Sequence, residues 1–119
     1  MTPEERARRT IDHQLVQTGW QVQDYQQIDF TVSQYLAVRE YPTDSGPADY
    51  VLFVGRKPVG VIEAKPAGTP LVMVEEQSER YAASKLKWAV QEGVLPFVYE
   101  STGVETRFTD NRDPIPRSR

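Results

Sequence analysis

The sequence predicts an α/β fold, a mixed central β-sheet with helices on its faces. Three observations carry that expectation. Residues 50–54 (Tyr-Val-Leu-Phe-Val) and 59–62 (Val-Gly-Val-Ile) are β-forming apolar runs separated by Gly55-Arg56-Lys57-Pro58, a short hairpin loop. Their apolar residues are continuous rather than alternating, so both faces of these strands are expected to be covered. Helical patterns before and after them, over residues 2–18 and from Glu75 to about Gly93, supply the covering layers.

The elements follow in order. Thr2 is placed to cap the first helix, Pro3 suits its first turn, and Glu5 completes a capping box with Thr2. Gly19 stops it. Its apolar stripe holds Ile11 and Leu15, and helical spacing carries that stripe back through Arg8 or Ala7 to Glu4. Arg6, Arg8 and Arg9 read as solvated helix-face residues, and Asp12 and His13 as surface residues. Residues 20–25 alternate as a short strand, and residues 36–41 form another. Residues 42–47, Pro-Thr-Asp-Ser-Gly-Pro, read as a loop leading into Asp49. A second breaker-rich loop covers residues 66–70, before a short apolar stretch at 71–74 and the second long helix. Glu75 and Glu76 favour that helix's first turn, and Gln77 and Tyr81 share one of its faces. Residues 95–100 and 104–109 pair as a final hairpin about Ser101-Thr102-Gly103. The folded unit is expected to be residues 1–109, with the Pro-rich, charged residues 110–119 as a linker.

Composition limits the chemistry. At 119 residues the chain is expected to be one domain with one modest core. It has no cysteine, which excludes a disulfide frame and a thiolate zinc site, and its single histidine excludes a histidine cluster. Any metal must therefore be held mainly by oxygen. A net charge of −3 and a pI near 5.2 argue against tight autonomous binding to nucleic acid, though not against a domain whose grip comes from another domain or subunit. No apolar run approaches membrane-spanning length and the N-terminus is polar, so a soluble cytoplasmic protein is expected.

Charge at the ends of otherwise buried strands is the anomaly. Asp49 opens the first strand of the hairpin, and Glu63 and Lys65 close the second. Residues two apart on a strand share a face, so Glu63 and Lys65 project together. A hairpin register that brings Asp49 alongside would put two carboxylates and an ammonium in one small volume. Two such carboxylates repel and call for a cation. Mg²⁺ suits them, and the lysine can orient an attacking water, which is the layout of a metal-dependent phosphodiesterase. The same spacing is equally compatible with Asp49 opening a strand at a turn and Glu63 pairing with Lys65 at an exposed strand end.

Gly46-Pro47-Ala48-Asp49-Tyr50 together with Val61-Ile62-Glu63-Ala64-Lys65-Pro66 resembles the N-terminal nuclease domain of type I restriction enzyme R subunits, of the PD-(D/E)xK nuclease superfamily. The superfamily's adjacent Pro-Asp pair stands here as Pro47-Ala48-Asp49. The resemblance extends to Glu4, Ile11-Asp12 and Gly19-Trp20 in the first helical region, to Gln77-x-x-x-Tyr81, and to residues 99–108. It implies a nuclease domain over residues 1–109, with a restriction-endonuclease-like fold and Mg²⁺-dependent hydrolysis of DNA phosphodiester bonds through metal-activated water. Asp49, Glu63 and Lys65 would be catalytic, and Asp49 and Glu63, joined by Glu4, would hold one or two Mg²⁺ ions. Gln77 and Tyr81 would support the site or touch DNA; Arg80, Lys85 and Lys87 could add phosphate contacts. The partners implied are double-stranded DNA and the methylation and specificity subunits, which use S-adenosylmethionine. The family's ATP-driven motor domain would follow the linker, and no Gly-x-x-x-x-Gly-Lys phosphate loop is present in this chain. Two other readings stay open: a non-catalytic docking module of the R subunit, and a small autonomous nuclease of the same superfamily.

Overall fold

The computed structural model describes residues 1–71, 75–86 and 94–112, with the backbone alone for residues 75–78. Helix α1 spans Pro3–Gln17. It starts where Thr2, in an extended conformation, accepts the Glu5 N–H on Oγ1 at 3.1 Å. It stops at Gly19, whose φ of +99° is the left-handed conformation that a helix end requires. The Trp20 N–H then turns back to the Leu15 carbonyl and the Gly19 N–H to that of Val16. These are the two bonds of a Schellman ending. Ala7, Ile11 and Leu15 form its buried stripe.

Six strands form one mixed sheet in sequential order. They are β1 (Gln21–Asp24), β2 (Tyr35–Thr43), β3 (Gly46–Val54), β4 (Lys57–Ala64), β5 (Phe97–Ser101) and β6 (Thr106–Asp110). The pairs β1/β2 and β4/β5 are parallel, and the other neighbours are antiparallel. Helix α2 (Glu75–Ala83) lies in the crossover from β4 to β5. The expected α/β architecture is therefore the observed one. Among the described residues no helix is long and apolar enough to cross a membrane.

The continuous apolar strands are explained by burial on both faces. On one face Leu36, Val38, Val51, Phe53, Val61 and Val98 pack with Ala82 of α2 and with Leu86. On the other, Ala37, Tyr50, Leu52, Ile62 and Ala64 pack with Ile11 and Leu15 of α1. The central hairpin turns on two residues, Gly55 and Arg56, both at positive φ (55° and 72°), which matches the twist of the flanking strands. Lys57 and Pro58 belong to β4 rather than to the loop. The register shifts between Leu52, which pairs with Gly60, and Phe53, which pairs with Pro58, so Val59 is the extra residue of a bulge on β4 beside Pro58, which has no N–H to give a regular ladder.

Two expectations change for one reason. The expected loop at residues 42–47 is a tight turn, with Thr43 paired to Gly46 and only Asp44 and Ser45 between strands. The second helix ends at Ala83 and does not continue to Gly93, and residues 87–93 lie outside the described set. The two meet. The Lys85 N–H goes to Asp44 Oδ1 at 2.9 Å, and the Asp44 N–H goes to the Lys85 carbonyl at 3.1 Å. Ser84 Oγ bonds Ser45 Oγ at 2.6 Å. These tertiary bonds take the groups that another helical turn would need. At the other end Asp110 closes β6, the Asn111 N–H is held by the Pro96 carbonyl, and Arg112 covers the Phe97 ring. Residues 113–119, the rest of the expected linker, lie outside the described set.

Candidate active site

Strands β3 and β4 part at the end of their ladder. The last paired residues are Tyr50 and Ile62. The next position on each strand is Asp49 and Glu63. Instead of a main-chain pair, Asp49 Oδ2 accepts the Ala64 N–H at 2.8 Å. The carboxylate thereby takes the place of a backbone acceptor and is drawn between the strands. Asp49 and Glu63 are 7% and 5% exposed, deep burial for carboxyl groups.

The two carboxyls are hydrogen-bonded to each other. Burial, the neighbouring charge of Asp49 and that hydrogen bond push the Glu63 carboxyl up to about 9. Glu4 adds to the rise, and the positive charge of Lys65 opposes it. Glu63 therefore keeps a proton at neutral pH. Lys65 is half-buried just past β4, and its N–H is fixed by the Ser101 carbonyl of β5 at 2.9 Å.

The structure thus brings Asp49, Glu63 and Lys65 together, with Glu4 close enough to act on Glu63. Glu4 itself is exposed in the first turn of α1. Among the described residues no three Asp, Glu, His or Cys side chains are grouped to share one ion. The side chain of Gln77 lies outside the described residues. Tyr81 is half-buried against the core, with its hydroxyl beside Gly46 at the β2–β3 turn. Arg80 and Lys85 are exposed, and Lys87 lies outside the described residues.

Two residues differ from their expected surface roles. Arg8 is half-buried, not solvated. One of its nitrogens is ion-paired with Asp49 Oδ1 and another reaches Glu40 Oε1 at 2.9 Å. Burial disfavours its charge, but Asp49 and Glu40 outweigh burial and hold the guanidinium above its ordinary value. The signal in the sequence is its helical spacing from Ile11, which puts it on the inward stripe below Glu4. Asp12, also half-buried, accepts from the Tyr50 hydroxyl at 2.7 Å and from Arg39 at 3.0 Å. Burial and the Asp12 carboxylate raise the Tyr50 hydroxyl well above its usual range, so it stays a donor. This network fastens α1 to β2 and β3, and so fixes where Arg8 and Glu4 stand relative to Asp49.

Comparison with known proteins agrees with the resemblance. Residues 21–107 match the family model described as the type I restriction enzyme EcoKI endonuclease subunit second domain. That range holds Asp49, Glu63, Lys65, Gln77 and Tyr81, and leaves out α1 with Glu4 and Arg8. The type I restriction enzyme EcoKI endonuclease subunit of Escherichia coli (strain K12) is 37% identical over 91 residues, 66% of this chain and 8% of that protein. The chain thus spans only a small part of its relative. No solved structure matches it. The chain belongs to the family of the type I restriction enzyme EcoKI endonuclease subunit second domain.

Proposed function

We propose that this chain is a DNA endonuclease domain of a type I restriction enzyme endonuclease subunit, hydrolysing phosphodiester bonds with Mg²⁺. The observation that supports this reading is the buried Asp49–Glu63 pair, with Lys65 acting on it at the end of the sheet. Two carboxyls pressed together can both ionise only beside a cation. The donors are all oxygen, and Mg²⁺ takes one or two carboxylates while keeping several waters. Asp49 and Glu63 would hold it, joined by the Ala64 carbonyl, with Glu4 adding negative field. The ion supplies neutralisation of the scissile phosphate and polarisation of its oxygens.

The chain's own residues do the remainder. Lys65 orients the attacking water and then stabilises the charge that builds on the phosphoryl oxygens. The water oxygen bonds to phosphorus as the P–O ester bond breaks, a proton from the water ends on the leaving sugar oxygen, and no covalent enzyme intermediate forms. Gln77 and Tyr81 support the site from α2. In the whole enzyme a motor domain moves the DNA, and the methylation and specificity subunits supply site recognition. Cut off from those partners, the chain is expected to cleave poorly, in keeping with its net charge of −3.

The test is calorimetric Mn²⁺ titration of the chain beside Asp49→Ala and Glu63→Ala. Binding by the wild type that both substitutions abolish is the expected result. Binding indifferent to both would overturn the reading. In the assembled restriction complex, Lys65→Ala should retain the metal and lose DNA cleavage.

A further inference from the structure

Arg8 makes a contact that the hydrolytic reading does not require. Its guanidinium sits on Asp49 Oδ1, on the carboxylate that would bind the metal. The other Asp49 oxygen is already engaged by the Ala64 N–H. Each oxygen of Asp49 thus has a donor, one cationic and one from the backbone. The far side of Arg8 rests on Glu40, which is more than half exposed and stands at φ +55°, unusual for a residue with a side chain. The Arg8 Nε–H is buried without a hydrogen-bond partner among the described residues. A buried donor left unmet costs free energy, which leaving Asp49 for a solvated position would relieve.

We propose that Arg8 is the resident counter-ion of Asp49, which yields its place when a divalent cation enters and thereby sets the metal affinity of the site. The inference rests on the metal-site reading above. A monovalent guanidinium and a divalent ion on the same carboxylate repel each other across a short distance, so the two compete. The competition serves the fold as well. Without metal, Arg8 compensates a buried carboxylate that would otherwise stand beside Glu63 with no positive partner on its outer oxygen. With metal, the fork of Arg8 is released next to the site, held by Glu40 at its other end.

The experiment is calorimetric titration of the chain with Mn²⁺, comparing wild type, Arg8→Gln, Arg8→Lys and Asp49→Asn, alongside melting curves of each in a chelator and in Mn²⁺. Arg8→Gln should bind Mn²⁺ roughly tenfold more tightly, a coupling of ordinary size. Arg8→Lys, which keeps the charge and loses the fork, should fall between. In chelator Arg8→Gln should melt below wild type, and Mn²⁺ should raise its melting temperature more than it raises that of the wild type. Binding by Arg8→Gln when the wild type shows none supports the same conclusion. Equal or weaker Mn²⁺ affinity in Arg8→Gln, with binding abolished by Asp49→Asn, overturns the counter-ion role and leaves the carboxylate site standing. Binding unaffected by Asp49→Asn overturns the site itself, and no binding by any variant overturns both. If Arg8→Gln does not fold, Arg8→Lys against wild type decides by the same comparison.

Discussion

Replacing Glu63 by glutamine should stabilise the metal-free chain, and by an amount that grows with pH. In the folded chain the Glu63 carboxyl keeps its proton up to about pH 9, against 4.5 for an ordinary glutamate. The unfolded chain releases that proton above its ordinary value, so between the two values the folded state binds one more proton than the unfolded state. Stability from this group is complete below the unfolded value and is lost as pH rises through the window, by about 1.4 kcal/mol per pH unit. From about pH 5 to about pH 8 the wild type should lose on the order of 4 kcal/mol that Glu63→Gln does not lose. The amide carries no charge, keeps a donor for Asp49, and occupies nearly the same volume. Titrating groups away from Asp49, Lys65 and Glu4 are common to both chains and cancel in the difference. Urea unfolding in a chelator, at four pH values across that range, gives the difference directly from midpoints and slopes. A stability difference that stays flat from pH 5 to pH 8 would refute the reasoning, because Glu63 would then titrate as an ordinary carboxylate.

Two further outcomes test the packing that carries the site. Gly60→Ala should destabilise by about 1–3 kcal/mol in urea, the usual cost of overpacking, because its Cβ would meet the Phe97 carbonyl oxygen at 2.7 Å and Phe97 Cβ at 2.9 Å. Its failure to do so would mean that β4 and β5 are not in the close register that fixes Lys65. Tyr50→Phe should cost about 1–3 kcal/mol by the same assay, since its hydroxyl bonds Asp12 at 2.7 Å and the Arg8 carbonyl at 3.1 Å in a buried setting. A neutral Tyr50→Phe would show that this network does not fasten α1 to the sheet.

Much of the candidate site is legible in the amino-acid order. The spacing of Glu63 and Lys65 puts both on one strand face, and Asp49 joins them if the hairpin register allows; the ladder between β3 and β4 ends at Tyr50 and Ile62, with Asp49 and Glu63 next on each strand. The other acidic position, Glu4, is reachable by helical spacing. Arg8 lies on the same stripe yet reads as solvated, because a charged residue on an inward stripe usually snorkels to water, and only a buried acid across a strand end can hold it back. Asp12 is hidden in the same way, its partner Tyr50 being far off in sequence.

Local chemistry determined what local chemistry can. Thr2, Pro3 and Gly19 set both ends of α1, and the apolar runs demanded a sheet covered on two faces. These features depend on neighbours a few residues apart, through capping bonds, backbone conformations and side-chain periodicity, so the amino-acid order states them directly. Tertiary structure alone decided that α2 ends at Ala83, because the hydrogen bonds that end it come from Asp44 and Ser45, some forty positions earlier. It also decided the parting of β3 and β4 that seats Asp49 on the Ala64 N–H, and with it the proton held by Glu63. Those outcomes depend on which distant groups compete for one donor and on how far water is excluded from two acids, and neither quantity exists until the chain has folded around them.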